Sequence, residues 1–373
     1  MSKFSADDHL YMARAIQLAD LGTYTTMPNP RVGCVITNGE QVVGEGWHQW
    51  AGEVHAEIQA LNQAGLKAKG ATAYISLEPC AHWGKTPPCV NALITAGIAR
   101  VVAATEDPNP LVAGRGLAML TKAGIDTASG LLASQAQLIN SGFIKRMLTG
   151  KPMVRAKLAM SVDGRTAMAS GESKWITGAD ARSDVQRLRA SSCAIVTGVE
   201  SIIKDNSSLT LRLEDMKMAG AEQIINRQPL RVVLDSQLRT PPSAKVITGP
   251  GQCLIVCTKK ADVQRKKALE HAGAEVLVQD THKEQVCCSL LLDELGNRAC
   301  NEVLLETGAT LAGTMLQEDL IDELIIFMAP VLMGNKAREL FQLPFDNMSE
   351  KRQLSITDIR AIGNDWRITA KPM

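Results

Sequence analysis

The sequence predicts two α/β domains in tandem. Three observations carry this reading. The chain has 373 residues, more than one hydrophobic core ordinarily serves. Short apolar runs alternate with helical patterns in both halves, the order that layers helices on a sheet. The segment Thr149-Gly150-Lys151-Pro152 interrupts that order with a glycine and a proline, the residues that stop helices. The expected domains are therefore 1–149 and 150–373.

In the first domain, Ala6 to Leu21 sets Leu10, Ala13, Ile16 and Leu18 at helical spacing and stops at Gly22. Val32 to Thr37 reads as a buried strand. Asn38-Gly39 is a tight-turn dipeptide, and Gln41 to Gly46 returns as the second arm of a hairpin. His55 to Leu66 reads as a helix, Ala71 to Leu77 as a strand, Cys89 to Ala96 as a helix and Arg100 to Ala104 as a strand. Gln135 to Leu148 reads as one final helix before the break.

The second domain restarts with a strand at Met153 to Met160. Further strands are expected at Ala194 to Gly198, Leu230 to Leu234, Cys253 to Thr258, Ala274 to Val278, Val303 to Glu306 and Glu323 to Met328. Helical patterns lie between them, as at Ala179 to Ala190 and Lys260 to Ala272. There is no internal repeat, coiled-coil heptad or low-complexity tract.

Composition excludes several classes of protein. The chain is 45% hydrophobic and 21% charged with a net charge of +1, so no overall field steers it to nucleic acid or a membrane surface. The start, Met1-Ser2-Lys3-Phe4-Ser5-Ala6-Asp7-Asp8, is polar and acidic, unlike a signal peptide. No apolar run approaches the roughly 18 residues of a membrane span. Nine cysteines, an odd number without secretory features, argue for a reducing compartment, so a cytoplasmic protein is expected.

The strongest chemical signal is His55-Ala56-Glu57, followed by Pro79-Cys80 and then Cys89. One imidazole and two thiolates make three zinc ligands and leave a fourth tetrahedral position open, the pattern of a catalytic zinc. Water bound there is acidified toward neutrality. Glu57, two residues from His55, can shuttle the proton, as in the zinc nucleobase deaminases, where the glutamate is not a ligand. A lone His-x-Glu arises often by chance, and isolated cysteines are usually small core residues. A structural zinc, however, more often shows two close ligand pairs, whereas eight residues separate Cys80 from Cys89.

The segment from Pro79 to Cys89 resembles the deaminase half of the bifunctional deaminase/reductase family of riboflavin biosynthesis. So do Pro28-Asn29-Pro30-Arg31-Val32-Gly33-Cys34 and Glu45-Gly46-Trp47-His48, with Ala51-Gly52 leading into His55-Ala56-Glu57. The resemblance implies a cytidine-deaminase-like three-layer domain, with Asn29, His48, His82 and Lys85 lining the pocket for a pyrimidine and its ribose phosphate.

The second half continues the resemblance from Lys157 to Thr166, through Ser173-Lys174-Trp175-Ile176-Thr177-Gly178, Leu188-Arg189-Ala190, Leu209-Thr210 and Leu234-Asp235-Ser236, to Glu306 and Gly308. It implies a dihydrofolate-reductase-like α/β domain that uses NADPH. On that basis Ala159, Trp175, Ser201, Asp205 and Ser236 contact the cofactor. The expected loop Gly308, Ala309, Thr310, Leu311, Ala312 and Gly313 cradles its phosphates with backbone N–H groups. Ser173, Ser208, Arg189 and Arg212 hold the substrate, the arginines through the bidentate fork that suits phosphate. Lys157 and Glu306 are the candidates for polar assistance to hydride transfer, and Glu306 also faces the substrate. Gly114-Arg115-Gly116 lacks the third glycine of a Rossmann fingerprint, which disfavours that fold. Ser201, Ser207, Thr307 and Gln186 depart from the family's usual residues and bear on cofactor affinity.

The expected function is zinc-dependent deamination of a diaminopyrimidine ribotide, then NADPH-dependent reduction of its ribosyl group, in a homodimer or homotetramer. A nucleotide deaminase with a nucleotide-binding accessory domain is the alternative enzyme. A structural zinc beside a degenerate second half is the non-enzymatic one, and Glu57 argues against it.

Overall fold

The computed structural model describes residues 4–83, 87–109, 113–172, 176–281 and 284–373. The chain divides into two compact units, Met1–Lys151 and Pro152–Met373.

The first unit holds a five-stranded sheet. Its strands are β1 (Gly33–Asn38), β2 (Gln41–Trp47), β3 (Thr72–Ile75), β4 (Arg100–Ala103) and β5 (Asp126–Ser129). Their order is β2-β1-β3-β4-β5. β1 runs antiparallel to both neighbours, and β3, β4 and β5 are parallel. The period-2 alternation of a strand decides which residue faces which layer. Cys34 and Ile36 pack with Ala56, Ala60 and Leu93 on one face, and Val35 packs with Met12 and Ala15 on the other. The result is the three-layer arrangement expected from the sequence.

Two local devices fix the helices. Ser5 and Asp8 form a capping box at the start of the helix Ala6–Asp20. Asp8 also accepts from the Tyr74 hydroxyl at 2.9 Å and pairs with Arg100 at 2.7 Å. Burial would raise the Asp8 carboxyl, but the hydrogen bonds from Arg100, the Ser5 backbone and Tyr74, with the Arg100 charge, together outweigh it and hold the group at about 2. Gly33 lets the same helix sit on β1, since a Cβ there would lie 2.0 Å from the Ala15 carbonyl oxygen.

The single helix expected over 135–148 is two helices, Ala133–Ile139 and Ser141–Thr149. Asn140 breaks it. Its buried amide is engaged in both directions with the Arg31 backbone, accepting from the N–H and donating to the carbonyl, each at 2.8 Å. The helix Arg115–Lys122 and strand β5 went unread in the sequence.

The second unit is built on a nine-stranded sheet with order β11-β10-β9-β8-β12-β6-β13-β16-β15. These strands are β6 (Met153–Ser161), β8 (Ala194–Gly198), β9 (Leu230–Leu234), β10 (Cys253–Thr258), β11 (Glu275–Gln279), β12 (Glu302–Glu306), β13 (Glu323–Ala329), β15 (Leu354–Ile362) and β16 (Asp365–Pro372). A separate two-stranded sheet pairs β7 (Arg165–Ala167) with β14 (Arg338–Glu339). β11 through β13 are parallel, and β16 and β15 add an antiparallel edge. A parallel sheet is covered on both faces, so its strands are continuously apolar. Accordingly Leu254 and Val256 enter one core while Cys253, Ile255 and Cys257 enter the other.

The expected helix over 260–272 begins later, at Val263, because the Asp262 side chain caps it by accepting from the Arg265 N–H. The expected phosphate loop over 308–313 is also corrected. Gly308 is an N-cap, and Ala309–Gln317 is a helix.

Candidate active sites

In the first unit the zinc-ligand candidates come from three places. His55 is the N-cap of the helix Ala56–Ala64, Cys89 opens the helix Cys89–Thr95, and Cys80 lies on the segment that follows β3. His55 Nδ1 lies 3.2 Å from Cys89 Sγ and 3.6 Å from Cys80 Sγ. All three donor atoms fall within 4.8 Å of one another. Tetrahedral zinc with ordinary Zn–S and Zn–N bonds sets such donors about 3.6 Å apart, so the donor set fits zinc. The hydrogen bond from Cys89 pushes the Cys80 thiol well below the usual range, and the same contact pushes the Cys89 thiol up. A divalent cation is the partner that lets both be thiolates.

Glu57 follows in the first turn of the same helix and is buried. Burial first, and the charge of Cys80 second, raise its carboxyl above the usual range. That is the tuning a proton shuttle needs. His48 is buried too, and burial lowers its pKa. The neutral ring has its Nδ1 3.3 Å from the Val54 carbonyl, and the Asn29 Nδ2 amide lies 3.1 Å from its Nε2. Its ring stands edge-on to His55 with centroids 5.4 Å apart. His48 therefore stands beside the metal-ligand candidate His55, and Asn29 is joined to it through the far ring nitrogen. His82 is exposed, and Lys85 lies outside the described residues.

Two carboxylates here escaped the sequence reading. Buried Glu78 accepts hydrogen bonds from four backbone N–H groups, those of Asp107, Gly114, Gly116 and Leu117. Asp107 stands near His82 and Cys80, and burial, with the Glu78 charge adding to it, pushes its carboxyl up to about 6. Nothing in the spacing of these residues announces a contact that runs through main-chain donors.

The second unit has a cavity of about 720 Å³ at the carboxyl ends of β6, β8, β9 and β12, where parallel sheets bind ligands. Lys157, Ala159, Ser201, Asp205, Ser236, Arg189 and Glu306 all line it. Gly308, Ala309, Thr310 and Leu311 line it as well. Ala312 and Gly313 are buried under the helix and do not line it. A Cβ on Gly313 would lie 2.2 Å from the Gln342 carbonyl oxygen, so this glycine serves helix packing. Ser173 and Trp175 lie outside the described residues.

Arg212 and Ser208 do not line the cavity. The Arg212 guanidinium pairs with Asp215 at 2.8 Å, and its backbone N–H donates to the buried Gln186 side chain at 3.1 Å. Ser208 Oγ lies 3.0 Å from Thr210 Oγ1. Sequence reasoning passed over Lys204 and Arg338, two further cations of the lining. Arg338 comes from β14, whose Glu339 and the following Leu340 line the cavity with it.

At the cavity floor Glu306 lies between Arg189 at 2.6 Å and Lys157 at 3.4 Å. Burial would raise this carboxyl, but the charges of Arg189 and Lys157 overcome it and hold the group at about 2.

Fold and sites together define a two-domain enzyme that joins a zinc-dependent deaminase unit to a ligand-binding α/β unit. Residues 5–105 match the cytidine and deoxycytidylate deaminase zinc-binding region, and residues 152–368 match the RibD C-terminal domain. The chain is 48% identical to the riboflavin biosynthesis protein RibD of Escherichia coli, covering 96% of this chain and 97% of that one. It is 46% identical to the same protein of Haemophilus influenzae, covering 100% and 99%. Acinetobacter baumannii RibD superposes with a TM-score of 0.90 at 43% identity, covering 98% and 99%. A Thermotoga maritima structure, described as a diaminohydroxyphosphoribosylaminopyrimidine deaminase/5-amino-6-(5-phosphoribosylamino)uracil reductase, superposes with a TM-score of 0.84 at 28% identity over 98% and 99%. The chain belongs to the RibD family of riboflavin biosynthesis proteins, as the sequence motifs implied.

Proposed function

We propose that this chain performs two consecutive steps of riboflavin biosynthesis. The first, in residues 1–149, is hydrolytic deamination of 2,5-diamino-6-(ribosylamino)-4-pyrimidinone 5-phosphate. The second, in residues 150–373, is reduction of the ribosyl group of 5-amino-6-(5-phosphoribosylamino)uracil to ribityl. The observation that carries the reading is the convergence of His55, Cys80 and Cys89 beside buried Glu57.

Zinc held by those three residues supplies acidification of a water for attack at C2 of the pyrimidine. Glu57 takes one proton from that water and passes it to the ring nitrogen, then takes the proton of the hydroxyl left on C2 and passes it to the departing ammonia. Its raised pKa suits both directions of transfer. Asn29 and His48 orient the ring, with His82 and Lys85 on the ribose-phosphate side. The site's mixed sulfur and nitrogen donors suit zinc over magnesium or calcium.

In the second unit NADPH supplies the hydride to the ribosyl C1. The cavity holds it through Ala159, Ser201, Asp205 and Ser236, with the N-terminus of the helix Ala309–Gln317 facing its phosphates. Lys157 and Glu306 give polar assistance to the hydride transfer from the cavity lining. Arg189 holds the substrate from within the cavity.

Among the described residues no helix is long and apolar enough to cross a membrane. Among the described residues no cysteine is in a disulfide, which supports a cytoplasmic setting. The edge strand β15 exposes Leu354, Ile356 and Ile359, which supports a homo-oligomer.

The test is ammonia release and NADPH oxidation measured in parallel on the diaminopyrimidine ribotide, with and without a zinc chelator. Two sites in series predict that chelation stops both and that pre-deaminated substrate restores NADPH oxidation. Ammonia release without NADPH oxidation, on either substrate, would refute the reductase half.

A further inference from the structure

We infer that Glu78 is a positioning residue of the deaminase site, holding Asp107 and the start of the helix Arg115–Lys122 against the segment that carries Cys80. The inference rests on the deaminase reading above.

Glu78 stands two residues before Cys80 and is 3% exposed. Both of its oxygens are used. Oε2 accepts from the N–H of Asp107 at 3.1 Å and of Gly114 at 2.9 Å. Oε1 accepts from Gly116 at 2.8 Å and Leu117 at 3.2 Å. The first turn of a helix presents N–H groups that lack partners within the helix. Here the N-cap, Gly114, supplies no side-chain cap, and a carboxylate from another part of the fold does so. Its negative charge also complements the positive end of the helix dipole.

The clamp extends to the backbone. A Cβ on Gly116 would lie 2.2 Å from the Pro79 carbonyl oxygen and 3.1 Å from Glu78 Oε1. The helix start therefore rests directly on the residue preceding a zinc ligand. The Glu78 N–H donates to the Thr105 carbonyl at 3.0 Å, so the same residue fixes the chain leading into Asp107 from a second direction. The Asp107 side chain accepts from the Asn109 N–H at 2.8 Å and faces the charges of Cys80 and His82. Glu78 thus sets where a buried carboxyl stands relative to the metal ligands without touching metal or substrate itself.

The chemistry requires a carboxylate. A glutamine at this position keeps one acceptor oxygen and turns an NH2 donor toward two N–H groups that have lost their acceptor. Asp107 and the helix start packed on Pro79, the wall that this carboxylate supports, then shift, while His55, Cys80, Cys89 and Glu57 keep their other anchors.

The experiment compares wild type with Glu78→Gln in the full chain. It measures zinc per chain, kcat and KM for ammonia release from the diaminopyrimidine ribotide, and NADPH oxidation with pre-deaminated substrate. A moved wall weakens substrate binding, so KM should rise about tenfold with a smaller change in kcat. Zinc content and NADPH oxidation should stay at wild-type values. An unchanged KM, or loss of zinc in step with activity, overturns the inference. If Glu78→Gln loses all three readouts through misfolding, Gly116→Ala carries the same test. It displaces the helix start with the carboxylate intact, and an unchanged KM there overturns the inference equally. A wild-type chain that releases no ammonia overturns the deaminase reading itself, a result distinct from a failed variant.

Discussion

Arg189 grips Glu306 with two prongs, Nε 2.6 Å from Oε1 and Nη2 3.0 Å from Oε2. Its Nη1 donates to the Thr210 carbonyl at 2.9 Å. The guanidinium links β12 to the helix Ala179–Ala190 and to the chain after Asn206. Removing one member of a buried pair leaves the other charge uncompensated, which costs about 3 kcal/mol or more. Arg189→Met should therefore lower the urea midpoint of the second unit, and reductase activity should fall with it. A variant of unchanged midpoint would show that Lys157 alone suffices for Glu306.

The same carboxylate makes acid stability predictable. Glu306 is depressed from 4.5 to about 2 in the folded chain. A depressed group stabilises the fold above its unfolded pKa and loses that contribution as pH falls through the folded value. The stabilisation should be intact above about pH 5 and should fade between 4.5 and 2. In Glu306→Gln the slope of unfolding free energy against pH in that window should flatten. Parallel slopes in the two proteins would assign the acid sensitivity elsewhere.

Glu57→Ala should reduce ammonia release by about two to four orders of magnitude, the range typical of a removed general acid/base. Zinc should remain bound, because the carboxylate, although hydrogen-bonded to Cys89, is not one of the three donors. Metal analysis settles the point. Zinc lost together with activity would make Glu57 part of the metal's support rather than a shuttle.

Cys89→Ala should lose both zinc and deamination, since two donors cannot complete the site. NADPH oxidation with pre-deaminated substrate should continue at the wild-type rate. A parallel fall in both activities would mean that the metal stabilises more than the deaminase unit.

Gly313→Ala should destabilise the second unit by about 1–3 kcal/mol, the usual cost of forcing a methyl into packed atoms. The obstacle is the Gln342 carbonyl 2.2 Å from the new Cβ. Thermal melting measures it. A neutral or stabilising result would return this glycine to the cofactor's phosphates, its role in the sequence-based expectation.

The second unit's parallel strands were legible because each is buried on both faces. Runs such as Cys253 to Thr258 are apolar throughout and bounded by polar turns. The hairpin β15–β16 was not legible. Residues such as Ser355, Thr357 and Asp358 face solvent along an edge strand, and their composition resembles a loop. Gly308 to Gly313 was misread because a glycine after a strand suits both a phosphate loop and a helix N-cap, and only Gln342, packed from a distant segment, decides. The zinc ligands were legible from residue type and spacing. Glu78 was not, because its partners are main-chain N–H groups, which every residue but proline carries. The pairing of Arg189 with Glu306 spans 117 positions and leaves no local pattern.

The three zinc donors also dictate a sequence of events. His55 and Cys89 lie 34 positions apart, and Cys80 lies 25 from His55. In a zinc finger, close ligand pairs let the ion organise the chain around itself. Here the unfolded chain must close loops of that length before imidazole and thiols can meet, and the entropy of closure opposes capture. The sheet β1–β3 and the two helices seated on it supply that closure through their own apolar packing. On that order of events the metal enters a receptacle already folded. A chain made under zinc starvation should then fold, keep its second unit's chemistry, and gain the first activity when the ion is added.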